Sequence, residues 1–331
     1  MPSGPFPILF FAPSDPQDAM FVSGVFKRLH DEIDNASFTV VTGPKAAALF
    51  RDAPKREATV IDEGPGLGRA LDLWGKLRRR RWGLIVDTVG RQLSGNLPAK
   101  RRMRAGELDP AGGHRVAQAA RLLKLEGEGA PPAPFLFVSE KTSQRAEEIL
   151  GEGGPLLALA PGAAWIGRTW PVERFARLAA RLLEDPALEG GRLLIVGEVD
   201  DRKAAETLRR TIPRDRCIDL TGEKDPLVVH ACLGRARLFV GGAAAFTQMA
   251  AAAGAPTLAL FGPDDEAATA PWGPLARVLR GPRSLQAIRT VDPNLDQPVC
   301  HMLDLPVERV LDAARQLIKD SAKDMEKRRH G

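Results

Sequence analysis

Cysteine is scarce in this chain. Cys217, Cys232 and Cys300 lie far apart and form no CxxC pair. That spacing argues against a disulfide framework or a thiolate metal site and predicts reduced thiols in a cytoplasmic setting. No apolar run approaches the ~18 residues a membrane-spanning helix needs. The opening, MPSGPFPILFFAPSD, lacks a basic n-region and a long apolar core, so it reads as a first strand rather than a signal peptide. A GxGxxG fingerprint is also missing after that strand, where PSDPQD stands instead. This weighs against a dinucleotide-dependent dehydrogenase or epimerase. No DxD segment lies where it would hold a divalent cation, and no metal is expected. The acidic pairs Asp200–Asp201 and Asp264–Asp265 read as caps or loop borders. The net charge of +5 and pI of about 9.3 are too small an excess to argue for nucleic acid. They suit nucleotides, a phosphorylated glycolipid or a membrane surface.

What is present is a regular alternation of short apolar runs with amphipathic segments, the pattern of a parallel α/β protein. Strands are expected at Ile8–Phe11, Phe38–Val41, Val60–Ile61 and Gly83–Val86. Helices are expected at Ala19–His30, Pro44–Phe50, Leu67–Arg80 and His114–Leu125, with a polar loop at Glu107–Gly113. The stretch GEGAPPAPF (127–135) reads as a linker. Beyond it, strands are expected at Leu156–Leu159, Gly191–Val196, Cys217–Leu220, Arg237–Val240 and Thr257–Phe261. Helices are expected at Thr142–Leu150, Val172–Leu183, Asp200–Thr211, Pro226–Leu233, Phe246–Ala253 and Pro306–Ile318. This gives an N-terminal domain over 1–140, a C-terminal domain over 141–318 and a charged, fraying tail over 319–331. Two such domains imply a ligand cleft between them.

Residues 240–273 carry the most information. They read as a buried strand, a Gly-rich turn, an Ala-rich helix, a second buried strand and a loop. Gly241 and Gly242 permit close backbone approach. The amides of Ala244, Ala245 and Phe246 would open a helix at which a phosphate can bind. Tight packing of small residues explains the same pattern equally well. Glu198 follows a strand end, where a carboxylate can bind ribose hydroxyls, whereas Asp200 reads as a helix cap. The run RRRRW (78–82), with Arg91, Lys100, Arg101, Arg102 and Arg104, makes the first half locally basic. It is either a solvated surface or a place for a phosphorylated acceptor.

Four fragments in order resemble the heptosyltransferases of glycosyltransferase family 9: ILFFAPSDPQDAMFVSGVFKRLH, DTVGRQLSG (87–95), APGAAWIGRTWPVERFARLA (160–179) and LFVGGAAAFTQMAAAAGAPTLALFGPDDEAATAPWGP. The resemblance covers about residues 8–318. It implies a GT-B fold, with two Rossmann-like doubly wound domains facing a cleft, the acceptor held by the first and an ADP-sugar mainly by the second. It implies transfer of a heptose to a lipopolysaccharide-core-like acceptor by one inverting displacement. The donor is then a substrate, and no cofactor is required. Partners would be an ADP-sugar and an anionic glycolipid, with peripheral contact at the inner face of the inner membrane.

By this resemblance Asp18 is the catalytic base; without the resemblance it reads as a helix-start carboxylate stabilised by the dipole. Arg168 stands for a phosphate-binding lysine, Trp170 and Pro171 being a core plug and a helix starter. Donor contacts fall to Arg168, Glu198, Gly241, Gly242, Ala244, Ala245, Phe246 and Gln248, and acceptor contacts to Arg91, Arg101 and Arg104. His114 matches a family histidine or simply caps a helix. The chain departs from the family where Asp-Thr/Ser-Gly becomes Ala243, Ala244 and Ala245, where the following His becomes Gln248, and where the Gly before the base becomes Gln17. Those losses keep open a second class of function, a catalytically silent member that binds a partner through the same scaffold.

Overall fold

The computed structural model describes residues 4–105, 112–122 and 130–330, with side chains up to residue 324. Parts of three expected features lie outside the described residues: the loop at 107–111, the helix end at 123–125 and the linker at 127–129. The chain divides into two units, residues 1–139 and 140–331.

The first unit carries five parallel strands: β1 (Phe6–Phe11), β2 (Ala36–Thr42), β3 (Arg56–Ile61), β4 (Trp82–Asp87) and β5 (Ala99–Arg104), in the order β3-β2-β1-β4-β5. Its helices are α1 (Pro16–Glu32), α2 (Leu67–Leu77), α3 (Gln92–Gly95) and α4 (Arg115–Arg121). The segment expected to be helical around residues 44–50 forms a short 3₁₀ turn at Ala47–Phe50. Sheet order reverses at β1, which places the turn from β1 into α1 where open α/β sheets bind ligands. One face of the sheet is closed by rings: Phe26 lies 5.2 Å from Phe10, 4.6 Å from Phe38 and 5.3 Å from Phe50. β5 was not expected, because its sequence AKRRMR lacks an apolar run. It forms at the sheet edge, where charged side chains keep the solvent face and discourage further pairing.

The later part of the expected linker packs on α1. A side chain at Gly24 would meet the carbonyl oxygens of Pro132 and Ala133 at 2.2 and 2.5 Å, so glycine alone lets this strap approach. Phe135 N donates to Ser23 Oγ at 3.0 Å.

The second unit carries six parallel strands: β6 (Leu156–Ala160), β7 (Arg192–Gly197), β8 (Cys217–Thr221), β9 (Ala236–Gly242), β10 (Thr257–Phe261) and β11 (Ala276–Arg280), in the order β11-β10-β9-β6-β7-β8. Its helices are α5 (Glu140–Leu150), α6 (Val172–Leu183), α7 (Arg202–Arg209), α8 (Pro226–Leu233), α9 (Ala245–Ala252), α10 (Glu266–Thr269), α11 (Leu285–Val291) and α12 (Val307–His330). The core joins Leu157, Leu159, Leu193, Ile195, Leu238 and Val240 of the sheet to α6, α7 and α12. On α8, the buried His230 has Nδ1 3.1 Å from Met249 O of α9. Burial pushes its pKa down to about 4, so the ring is neutral near pH 7.

The tail does not end its helix at Ile318. α12 runs on to His330. Arg237 Nη1 donates to the buried Ser321 Oγ at 2.7 Å, which anchors the extra turns. The residues that follow are good helix formers, with cations suited to a helix C-terminus. No helix among the described residues is long and apolar enough to cross a membrane.

Candidate functional site

In the second unit most of the expected donor residues, Gly241 to Gln248, fall at the turn from β9 into α9. The two glycines there have different reasons. A side chain at Gly241 would press against the Phe239 ring at 2.8 Å and Ala160 Cβ at 3.0 Å, so Gly241 is a packing residue. At Gly242 the nearest atom would be Arg168 O at 3.7 Å. The Gly242 turn and the Arg168 loop therefore face each other. Ala244 occupies the N-cap position of α9 and supplies no capping oxygen. The amides of Ala245 and Phe246 open the first turn, ahead of any intrahelical acceptor. Thr247 Oγ1 donates back to Gly242 O and closes the turn from within.

Gln248 is turned inward at 1% exposure. Its Nε2 donates to Thr269 O at 2.9 Å, and its Oε1 is buried without a partner among the described residues. It ties α9 to α10 and presents no group to solvent. Ala243 packs with Ala259 and Phe261 in a small apolar cluster.

Arg168 ends a 3₁₀ turn at Ile166–Arg168. Its Nη2 lies 2.8 Å from Asp264 Oδ1. Asp264 is 8% exposed, and burial pushes its carboxyl above the usual range against the pull of Arg168 and Arg280. Asp264 is thus an ion-pair residue rather than a loop border. Asp265 is the cap, accepting from Ala267 N at 3.0 Å at the start of α10. Arg280 of β11 donates to Gly262 O and Asp264 O and so fixes this loop. Trp170 is buried, donates from Nε1 to Leu305 O at 2.9 Å and meets Phe175 edge-on at 4.8 Å. It is the core plug its sequence position suggests, and α6 starts directly after Pro171.

Glu198 is exposed at the end of β7. Its amide donates to Asp201 Oδ2 at 2.8 Å. Glu198 and Asp201 form a reciprocal capping box at this corner, and Asp200 is not the cap. A side chain at Gly162 would collide with the Asp201 carboxylate at 2.0–2.1 Å, so the loops after β6 and β7 touch through it.

In the first unit Asp18 sits in the first turn of α1. Asp15 caps the helix, accepting from Asp18 N at 3.1 Å. The Asp18 carboxylate is half-buried and ion-paired with Arg115. Burial raises its pKa, Arg115 opposes that rise, and the nearby Asp15 adds to it. Arg115 was missed from the sequence, where only its neighbour His114 stood out. His114 caps α4, its Nδ1 accepting from Val116 N at 3.2 Å, and meets the Phe21 ring edge-on.

The DTVGRQLSG segment is explained by its own hydrogen bonds. Asp87, fully buried, accepts from Val89 N (3.0 Å), Gly90 N (2.8 Å) and Ser94 Oγ (2.6 Å). Gly90 has φ of +79°, which its residue type permits. Arg91 pairs with Asp62. Arg104 Nη2 donates to Arg91 O at 2.9 Å, and its Nε lies 3.7 Å from Asp87. Arg91 and Arg104 are thus brought together. Arg101, three residues earlier on β5, points to the opposite face of the sheet.

A family model described as glycosyltransferase family 9 (heptosyltransferase) matches residues 101–295. The chain belongs to glycosyltransferase family 9. Among curated relatives, lipooligosaccharide heptosyltransferase 2 of Haemophilus influenzae is 26% identical over 144 residues, which is 42% of this chain and 40% of the relative. The chain thus spans about two fifths of the length of that relative. A family 9 glycosyl transferase of Veillonella parvula has the same fold, with TM-score 0.78, 16% identity and coverage of 97% and 99% of the two chains. So does the Escherichia coli ADP-heptose LPS heptosyltransferase II, with TM-score 0.76, 21% identity and coverage of 95% and 99%. The GT-B fold class of this family 9 chain follows from its two parallel-sheet units and these neighbours.

Proposed function

We propose that this family 9 chain transfers a heptose from an ADP-linked donor to a lipopolysaccharide-core-like acceptor, by one inverting displacement. The acceptor hydroxyl oxygen forms a bond to the anomeric carbon as the bond from that carbon to the diphosphate breaks. The hydroxyl proton passes to the Asp18 carboxylate, and ADP leaves. The observation that carries this reading is the corner in the second unit where the Arg168 loop faces Gly242 and the first turn of α9. Backbone amides at the start of α9 suit a diphosphate, and the facing loop carries the Arg168 guanidinium, which rests on Asp264. The names of the relatives supply the sugar and the nucleotide. Replacing Arg168 with alanine removes a charge-assisted contact, and ADP affinity should fall about tenfold to a hundredfold. Calorimetry at fixed salt checks this, and unchanged affinity would remove Arg168 from the donor site.

The acceptor side is proposed to meet an anionic lipid surface. α2 leaves Leu67 81% and Leu71 59% exposed, one turn apart on the same face. Arg78 stacks over Trp74 at 4.4 Å beyond them, followed by the exposed Arg79 and Arg81. Apolar side chains beside a basic cluster suit a bilayer interface carrying negative charge. The protein should co-sediment with phosphatidylglycerol vesicles and not with phosphatidylcholine vesicles. A double Leu67→Glu, Leu71→Glu variant that binds as well as the parent would sink the idea.

The uncapped start of α9 and the inward Gln248 favour a second reading, a silent member that keeps the scaffold without transfer. It predicts a folded protein that releases no ADP from an ADP-sugar.

A further inference from the structure

A diphosphate clamp has no need of a carboxylate on its guanidinium, yet Arg168 carries one. We propose that Asp264 is a resident counter-ion of Arg168 that competes with the donor's diphosphate for the same guanidinium, and so sets donor affinity. This rests on the reading of Arg168 as a donor contact.

The fold places Asp264 deliberately close. The loop after β10 is held by Arg280, which donates to Gly262 O and Asp264 O. A side chain at Gly262 would collide with Met302 Cγ at 2.8 Å, so the loop sits tightly on the segment leading to α12. The loop therefore has little freedom to carry its carboxylate away, and Arg168 is the mobile partner. The Arg168 side chain is 37% exposed while that of Asp264 is 8% exposed.

The pair is also only half made. An arginine fork matches a carboxylate with two parallel donors. Here Nη2 alone contacts Asp264, and Arg168 Nε is buried with no partner among the described residues. Leaving a buried donor unsatisfied is unfavourable, which weakens the pair's hold on Arg168. A diphosphate brings more negative charge and more oxygens than one carboxylate. It can draw the guanidinium off Asp264 and toward the α9 turn, which the backbone of the Arg168 loop faces across Gly242.

The charged groups around Asp264 are Arg168 and Arg280, with Asp265 and Glu266 following in the chain; Glu266 lies 3.5 Å from Arg280. Burial raises the Asp264 carboxyl above its ordinary value, and both arginines oppose this. As pH falls through that raised value, Asp264 takes up a proton and releases Arg168, so donor affinity rises. The same direction means that the ionised carboxylate is a net burden on the folded state above that pH. Asp264→Asn should therefore fold and melt no lower than the parent.

The test titrates the full chain with ADP, and separately with inorganic pyrophosphate, at pH 8 and at successively lower pH, all at constant salt. The proteins are the parent, Asp264→Asn, Arg168→Ala and the double variant. At pH 8, Asp264→Asn should bind ADP at least about tenfold more tightly than the parent, the scale of a charge-assisted hydrogen bond. That ratio should shrink as pH falls through the raised value of the Asp264 carboxyl, ligand titration cancelling between the two proteins. In the Arg168→Ala background the gain should vanish. Equal or weaker binding by Asp264→Asn, with Arg168→Ala still harmful, would overturn the proposal and make Asp264 a support for Arg168. A gain that survives in the double variant would overturn it too, as a general field effect. Gain with pyrophosphate but no ADP binding by any variant would sustain the counter-ion role and reject the nucleotide reading. No binding of either probe by any variant rejects both.

Discussion

Replacing Asp18 with asparagine should lower heptosyl transfer by about 10²- to 10⁴-fold, the usual contribution of a positioned general base. Donor affinity should be nearly unchanged, since the proposed donor contacts lie in the second unit. The fold should persist, because Asp15 supplies the α1 cap and remains in place. The rate should also carry the mark of this carboxyl. Burial holds Asp18 above its ordinary pKa, and Arg115 pulls in the other direction. A base works ionised, so kcat/KM should rise with pH through that raised value and then level off. Replacing Arg115 with leucine removes the opposing charge and should move the rise to higher pH. A pH–rate profile of the three proteins checks both points. Asp18→Asn turning over at the parent rate would end its role as base, and an unmoved profile in the Arg115 variant would separate that arginine from it.

The second large effect is on stability. Trp170→Ala should destabilise the second unit by about 3–5 kcal/mol, the range for large aromatic deletions from a packed core. Trp170 is 2% exposed, packs edge-on against Phe175 and bonds the Leu305 carbonyl just before α12. Arg174 Nη1 also donates to that carbonyl at 2.7 Å, so Trp170→Phe keeps the acceptor satisfied and should cost much less. Urea unfolding followed for the second unit would resolve the two variants. ADP affinity should fall in Trp170→Ala at concentrations where the unit is still folded, because the Arg168 loop is fastened two residues away. A midpoint shift no larger than that of Trp170→Phe would show that the plug is dispensable.

Most of the architecture was legible in the sequence for a simple reason. Strands buried on both faces read as uninterrupted apolar runs, as LLALA does in β6 and TLALF in β10. Helix starts at Pro171 and Pro226 were equally plain. The strands that escaped are two of the four edges: AKRRMR in β5 and ARVLR in β11 carry charge through the strand and no apolar run long enough to announce them. The end of α12 was misjudged because charge was taken for fraying, whereas the anchor at Ser321 comes from Arg237 on a distant strand.

The site was legible as a place more than as a set of contacts. The turn Gly241–Phe246 lies where the pattern put it, but sequence could not separate Gly241, fixed by Phe239, from Gly242, open toward Arg168. Gln248 took a donor role from its position beside the turn, and its burial against Thr269 depends on packing that no spacing rule expresses. Arg115 went unnoticed and Asp264 passed for a cap or loop border, because each acquires meaning from a partner remote in the chain. Asp87 differs: its segment stood out in the sequence, and its partners Val89, Gly90 and Ser94 are local, making it a loop organiser beside which Arg91 and Arg104 meet.

The most direct measurement is ADP release from ADP-heptose by the parent protein, with and without a lipooligosaccharide core acceptor, read together with the mass of the acceptor. The proposed transfer, with Asp18 as base and Arg168 on the donor, predicts acceptor-dependent release, with one heptose gained by the acceptor for each ADP formed. A folded protein that binds ADP yet releases none above the acceptor-free background, and leaves the acceptor mass unchanged, would contradict heptosyl transfer and leave the silent scaffold standing.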